Sequence, residues 1–367
     1  MSDRRVGHRQ PAPRVGIDFA SNDYLGLAAS PRLAEAVAAA LARGTPVGAS
    51  GSRLLRGNGP EHEALEAAAA AFFGAERALF FGGGYIANFA ILTTLPQKGD
   101  LLVLDQLVHA SAHEGGRSGR AQMVTVAHND PGAIEAAIRA WRAAGGTGRV
   151  WIAVESLYSM DGDQAPLAEL LWLADRHDGF LCIDEAHATG VFGPDGRGLA
   201  TGCEGRDNVV VLHTCGKALG CSGALVTAPK VLCDFLVNRC RPFIYATAPS
   251  PLMAVAAMEA LAILRDEPER RERLAALVAF AGREATARCG VTPSGSQILP
   301  VIIGDNRRTM QLAGALQARG FDVRGVRPPT VPEGTARLRL ALTLHVDATM
   351  VAAMLDGLRE EQRRLDA

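Results

Sequence analysis

Three short stretches of this 367-residue sequence end apolar runs in side chains able to do chemistry. Phe180-Leu-Cys-Ile-Asp-Glu-Ala-His187 presents Asp184 and His187. His213-Thr-Cys-Gly-Lys-Ala-Leu-Gly220 presents Thr214 and Lys217, and Gly82-Gly-Gly-Tyr85 forms a glycine turn after Ala78-Leu-Phe-Phe81. Asp184 to His187 reads D-E-A-H, which in a nucleic-acid motor holds Mg²⁺ and water beside ATP. Such a motor also needs G-x-x-x-x-G-K-[ST], whose amides cradle phosphates and whose lysine reaches the terminal ones. The chain has three lysines, Lys98, Lys217 and Lys230; only Lys217 follows a glycine, and Ala218 comes next instead of Ser or Thr. The motor reading falls.

Open α/β sheets place ligands at strand ends, and a glycine turn feeding a helix offers free amides to a phosphate. A lysine, a carboxylate and a phosphate cradle together suit pyridoxal phosphate. That cofactor needs an amine for its Schiff base, an anion beside the pyridine nitrogen and donors around its phosphate. Of the 38 basic residues three are lysine and the rest arginine. A lysine kept for charge alone has an arginine substitute; one kept for its nucleophilic amine has none. The bland rivals are Asp184 as a helix cap and Lys217 as a surface lysine. His109 and His113 have a spacing of four that suits zinc, but no third ligand is evident, so no metal is expected and His113 reads as helix surface or packing.

The elements that must position these groups alternate helix-like segments with short β-branched runs, the pattern of a parallel sheet flanked by helices. Helices are expected over Pro31 to Arg43, Glu61 to Phe73, from the glycine turn to Leu95, Ala133 to Ala144 and Leu167 to His177. Strands are expected at 78–81, 101–105, 123–126, 150–155, 180–184, 209–213 and 224–227. After Pro249 come long helices (about 251–266 and 268–288), strands at 298–303, 321–326 and 336–342, and helices from Arg307 and about Val346. The expected division is an arm over 1–22, a large cofactor-binding domain over 23–249 and a small C-terminal α/β domain over 250–367.

Bulk properties narrow the class. Apolar residues make up 48% and charged residues 21%, with a net charge of −1, so there is no electrostatic footprint for nucleic acid. No apolar run approaches the ~20 residues of a membrane span. Met1-Ser-Asp-Arg-Arg-Val lacks an apolar h-region, so no secretory signal is expected. The seven cysteines lack paired metal spacing and read as reduced thiols of a cytoplasmic protein.

Six landmarks then stand in a recognisable order: Gly51-Ser-Arg-Leu-Leu-Arg-Gly-Asn58, His109-Ala-Ser111, Ser159-Met-Asp-Gly-Asp163, Asp184-Glu-Ala-His187, Thr214-Cys-Gly-Lys217 and Arg327-Pro-Pro-Thr-Val-Pro332, after Ser21-Asn-Asp-Tyr-Leu-Gly-Leu27. From Ser21 to the last helix the sequence resembles the α-oxoamine synthases, fold-type I pyridoxal-phosphate enzymes. The resemblance implies that Lys217 carries the cofactor, that Asp184 partners its pyridine nitrogen and that His109 stacks on its ring. It also implies that His187 and Ser159 lie near the phenolic oxygen, with Thr214, Gly84 and Tyr85 around the phosphate. Thr330, Arg327 and Asn22 are implied substrate contacts, and Glu155 a further polar residue of the site. The branch approached most closely, chiefly through Arg327-Pro-Pro-Thr330, joins L-alanine to a pimeloyl thioester in biotin biosynthesis. Sister branches use glycine or serine with other acyl-CoA donors, and a non-catalytic homologue would typically lack the lysine. The resemblance implies a homodimer and leaves the carrier open between coenzyme A and acyl carrier protein. The segment before Ser21 is short for the family, and Arg4, Arg5, Arg9 and Arg14 are equal candidates for an acyl-carboxylate contact. Cys215 stands where the family commonly has an apolar residue and is expected to pack.

Overall fold

The structure, a computed structural model, describes residues 16–366; Arg4, Arg5, Arg9 and Arg14 lie outside the described residues. Its main feature is a seven-stranded sheet of β2 (Arg77–Phe81), β3 (Leu101–Asp105), β4 (Gln122–Val126), β5 (Val150–Glu155), β6 (Phe180–Asp184), β7 (Val209–Thr214) and β8 (Ala224–Ala228). Their spatial order is β2-β8-β7-β6-β5-β3-β4, and all neighbours are parallel except β8, antiparallel to both β7 and β2. β3, β5 and β7 are buried at every residue, which is why they read as unbroken apolar runs.

Side-chain alternation sorts these runs to the two faces. Leu102, Leu104, Ala153, Cys182 and Leu212 pack with Ala87, Ile91 and Leu92 of α3 (Gly84–Thr94), Ala112 of α4 (Ala110–Ser118), Leu236 of α7 (Lys230–Arg239) and Phe243 of α8 (Arg241–Ile244). On the opposite face Leu101, Val103, Ile152, Ile183 and Val211 pack with Ile134 and Ile138 of α5 (Pro131–Ala143) and Leu170 and Leu173 of α6 (Leu167–Arg176). The odd–even count therefore sends Glu155, Asp184 and Thr214, each the last residue of its strand, to the α3–α4 side. In parallel strands these ends share one edge, with Glu155 directly opposite Asp184.

A third core lies beside β2, where α1 (Pro31–Ala42), α2 (Pro60–Phe73) and α9 (Pro251–Asp266) pack Leu33, Leu65, Ala69, Ala254 and Ala257 together. α2 stops at Gly74 with φ 77°, and α9 begins at Pro251, which needs no N–H there, with Leu252 N donating to Ser250 Oγ at 3.2 Å. A fourth core joins α10 (Glu269–Cys289), α11 (Asn306–Ala318) and α12 (Ala348–Asp366) to an antiparallel sheet of β11 (Arg324–Val326), β12 (Ala336–Ala341) and β9 (Ile298–Gly304), in the order β11-β12-β9.

Two departures from sequence expectation have physical causes. The single strand expected over 321–326 is two: β10 (Phe321–Asp322) pairs with β1 (Ile17–Asp18), whereas β11 turns to pair with β12. α4 is a helix only hinted at by the His109–His113 spacing, and no bounds are expected for it, because Ala-Ser-Ala-His-Glu-Gly-Gly-Arg-Ser has weak helix propensity. Its glycines instead allow close packing: a Cβ on Gly115 would lie 3.1 Å from Leu92 Cβ, and one on Gly116 2.7 Å from Met123 Sδ.

Gly220, three residues after Lys217, combines φ +63° with backbone contact: a Cβ there would lie 2.4 Å from Leu27 C and 2.5 Å from Ala28 N. Gly290 has φ +64° and open space around it. Gly290→Ala is therefore expected to cost about 1 kcal/mol, the conformational penalty alone, and Gly220→Ala distinctly more. Urea unfolding of both variants checks this, and equal losses would show that the Leu27 segment yields.

Candidate active site

Asp184 ends β6 with both carboxylate oxygens engaged. Oδ1 accepts the Ala186 N–H at 2.8 Å, and Oδ2 accepts from Asn88 Nδ2 at 2.5 Å. Asn88 lies one turn into α3 and also donates to Ser111 Oγ at 3.2 Å. Ser111 Oγ is 2.7 Å from Nδ1 of His109, the residue that caps α4. Asp184, Asn88, Ser111 and His109 thus form one continuous polar chain, and Asn88, His109, Glu155 and Asp184 line one small enclosed space.

A second chain runs through Lys217. Its Nζ is 2.7 Å from His187 Nε2, His187 Nδ1 is 2.7 Å from the Tyr24 hydroxyl, and that hydroxyl donates to Asn22 Oδ1 at 3.0 Å. The donor directions agree if His187 is neutral with its proton on Nδ1, leaving Nε2 to accept from the lysine. Burial, and then the nearby charges of Lys217 and Arg339, hold the His187 pKa well below the ordinary value. Burial likewise lowers the Lys217 amine to about 8, against the opposing pull of Asp184 and Glu155. Glu155 is pushed up to about 8 by burial and by the Asp184 charge. Its Oε2 accepts the Ser159 N–H at 3.0 Å, while its buried Oε1 has no partner. His109 is lowered by burial, with Asp184 opposing.

The glycine turn meets β7 from the side. α3 starts at Gly84 with no side-chain cap at Gly83, so its first-turn amides remain available. A Cβ on Gly84 would stand 3.3 Å from Thr214 Oγ1, which puts the hydroxyl and the helix start around one space. Tyr85 sets its ring edge-on to His109, with centroids 6.2 Å apart, and donates its hydroxyl to the Glu114 carboxylate. His213, one residue before Thr214, points the other way, stacked on Phe73 and bonded to Glu204 and Thr189 at 2.8 Å each.

Comparison with known proteins identifies the family and the fold. The family described as aminotransferase class I and II matches residues 14–357. The chain is 43% identical over 352 residues to an 8-amino-7-oxononanoate synthase of Anaeromyxobacter dehalogenans, covering 95% of this chain and 87% of that protein. It is 41% identical over 345 residues to the enzyme of that name from Methylobacterium radiotolerans, covering 94% and 87%. The chain belongs to the α-oxoamine synthases of the class I and II aminotransferase family. Among solved structures it resembles the 8-amino-7-oxononanoate synthase of Francisella tularensis (TM-score 0.79, 25% identity, 96% and 99% of the two chains). It also resembles a serine palmitoyltransferase of S. paucimobilis solved with pyridoxal phosphate and myriocin (TM-score 0.87, 28% identity, 95% and 87%). The fold is that of the fold-type I pyridoxal-phosphate transferases.

Pyridoxal phosphate is the cofactor of this family, and the residues present fit it. The space between Thr214 and the uncapped start of α3 offers donors to a phosphate, Asp184 offers an anion, and Lys217 offers an amine held near neutrality by its surroundings.

Beside the polar chains, a cleft is lined by Gln106 to Ala110, His113, Tyr158 to Asp161 and Pro329 to Pro332. Thr330 therefore shares a cleft with His109 and Ser159, whereas Arg327 faces Asn306, Arg307, Met310 and Gln311 across α11. His113, expected as surface or packing, lines the same cleft. Cys215 is fully buried, as expected of a packing residue.

The sequence pointed to no role for Tyr24 and Ser111, although both stand in the landmark motifs, and did not single out Asn88, Gln297 or Arg339. Gln297 fixes the His187 carbonyl through Nε2 at 2.7 Å. Arg339 donates through Nε to the Ser159 carbonyl at 2.6 Å and keeps a buried Nη2 without a partner. The legible signal for Arg339 was alternation: Arg337 and Arg339 fall on one face of a strand whose Leu338 and Leu340 face the core, and both arginines are buried.

In the cofactor-free protein the Lys217 amine is expected to titrate near pH 8. Asp184→Asn should lower that midpoint, since the lost negative charge favoured the protonated amine. The pH dependence of acetylation at the Lys217 peptide measures this, and an unmoved midpoint would remove Asp184 from the field of the amine.

Proposed function

We propose that the chain catalyses the 8-amino-7-oxononanoate synthase reaction, the decarboxylative condensation of L-alanine with a pimeloyl thioester in biotin biosynthesis. The observation that carries this reading is the meeting of Asp184, His187 and Lys217 at one sheet edge, in a chain 43% identical over most of its length to a synthase of that name. Bound pyridoxal phosphate supplies an electron sink for negative charge on the amino-acid Cα. Asp184 keeps the pyridine nitrogen protonated, and Thr214 with the amides of Gly84 and Tyr85 holds the phosphate. His109 would lie against the ring of the bound cofactor, and His187 and Ser159 would hold its phenolic oxygen. Lys217, with an amine near pH 8, is suited to take the Cα proton and return it after the carbon–carbon bond forms. The unpartnered Nη2 of Arg339 suits the alanine carboxylate, because a buried guanidinium without an anion is costly and an incoming carboxylate relieves it. Cα attacks the thioester carbonyl, the carrier thiol leaves, and the carboxylate departs as CO₂.

The acyl chain occupies the cleft beside Thr330, with Asn22 completing the hydrogen-bonded chain behind Lys217. We assign Arg327 to the outer side of the same loop. The active form is a homodimer: Leu55, Tyr245 and Val47 are 83, 71 and 69% exposed in the single chain, an apolar surface that a second copy would cover. The likeness to serine palmitoyltransferase keeps one rival substrate pair, serine with a long acyl thioester, in the test.

Borohydride reduction of the holoenzyme should fix the cofactor on the Lys217 peptide, and label on Lys98 or Lys230 would sink the assignment. Offered alanine, glycine and serine with pimeloyl, succinyl, acetyl and palmitoyl thioesters, the enzyme should prefer alanine with pimeloyl. Thr330→Val should raise the pimeloyl KM roughly three- to tenfold, the loss of one hydrogen bond, and leave alanine binding unchanged. A preference for glycine with a short acyl-CoA would move the chain to a sister activity.

A further inference from the structure

The two walls of the acyl cleft are separate segments. Gln106 to Ala110 follows β3 and carries His109; Tyr158 to Asp161 follows β5 and carries Ser159. Behind them, in the turn after β4, His128 reaches both. Its Nδ1 lies 2.9 and 3.0 Å from the two oxygens of Asp105, the last residue of β3. Its Nε2 lies 2.7 Å from Asp163 Oδ2, just beyond the other wall. Asn129 doubles the link, donating its backbone N–H to Asp105 at 2.7 Å and its Nδ2 to Asp163 at 2.8 Å and to the Gln164 carbonyl at 3.1 Å. The Tyr158 ring stands edge-on to the imidazole, with centroids 4.4 Å apart at 89°.

Each imidazole nitrogen faces a carboxylate, so only the imidazolium satisfies both by donating twice. A neutral ring would turn a lone pair toward one of them. The two ends differ in rigidity. The Asp105 side chain is 3% exposed and also accepts the Leu107 N–H at 2.8 Å, whereas the Asp163 side chain is 39% exposed. Loss of the bond to Asp163 would therefore loosen the Tyr158–Asp163 wall, left to Asn129 and to the arginines of β12, more than the His109 wall.

We propose that His128 is a positioning residue that ties the two walls of the acyl cleft together and so sets affinity for the acyl thioester without touching it. The proposal rests on reading this cleft as the acyl site. The titratable groups facing the ring are Asp105 from β3 and Asp163 and Tyr158 from the segment after β5. Burial disfavours the charge, and the two carboxylates overcome it, raising the His128 pKa to about 9. The clasp is thus closed at neutral pH and opens as pH rises through 9.

The test measures the acyl KM of holoenzyme at saturating alanine from pH 7 to 10, together with the cofactor absorbance change on titrating alanine alone. Asp163→Asn removes the more exposed carboxylate and leaves the buried Asp105–His128 pair intact. It is expected to raise the acyl KM about fivefold or more at pH 7.5, the weight of one charge-assisted bond, with alanine titration unchanged. It should also move the alkaline rise in acyl KM to lower pH, because one carboxylate fewer holds the proton. Lys217 and Glu155 are the same in both proteins, so their titration cancels between the two profiles; the Asn129 contact to Asp163 does not titrate, which leaves the shifted alkaline rise to His128. Asp163→Glu should restore part of the affinity. A wild-type acyl KM and pH profile in Asp163→Asn would overturn the proposal, as would equal weakening of alanine and acyl substrate accompanied by a lower Tm. If wild-type enzyme turns over a different acyl thioester, the substrate assignment fails, while the same comparison made with that thioester still decides the clasp.

Discussion

The site depends on one largely buried amine set among two acidic side chains and a guanidinium. A surface lysine would be fully protonated near neutral pH and useless as a base. Burial works against the ammonium of Lys217, Arg339 adds to that effect, and Asp184 with Glu155 opposes it. The balance leaves the amine near pH 8, where both protonation states are accessible. His187 completes the arrangement by staying neutral, so it accepts from the lysine without adding a like charge. Had His187 been charged, the same 2.7 Å contact would set two cations together.

That balance is a product of strand parity. Glu155, Asp184 and Thr214 are terminal residues of three adjacent parallel strands, and alternation sends all three to the face covered by α3 and α4. A slip of one residue in β6 would carry Asp184 to the α5–α6 face and leave Asn88 without its acceptor. The fully buried strand interiors resist such a slip, because the same shift would turn every apolar side chain away from its own core. Packing in the sheet and placement of the carboxylate are therefore one constraint.

The sequence made much of this visible, and the reason is local. Apolar runs that stop abruptly at Asp184 or at Thr214 mark strand ends, and lysine scarcity singles out Lys217. Asn88, and the contact that Ser111 makes with it, were illegible because they arise where α3 meets α4, and nothing in Gly-Tyr-Ile-Ala-Asn-Phe foretells which helix face meets Asp184. Tyr24 and Gln297 reach His187 from opposite ends of the chain, a meeting that only the assembled fold defines. Arg327 and Thr330 sit three residues apart, yet one faces α11 and the other the cleft, since a Pro-rich loop has no periodicity from which to infer direction.

The same loops line the cleft and join the polar chains around Lys217, which gives the fold a reason for its buried polar links. His109 lines the space beside Asp184 and also stands in the cleft wall; Ser159 bonds Glu155 through its N–H and Arg339 through its carbonyl, and lines the wall as well. A shift of either loop would disturb the polar chains around Lys217, the Arg339 contact and the cleft together. Arg337, buried and paired with Asp161, braces the outer wall from β12, as His128 braces both walls from beneath. Such pairs are poor sources of stability, because desolvation offsets most of their attraction. Their value here is geometric: charged contacts with fixed partners hold two loops at one separation, a precision that non-directional apolar packing would not provide.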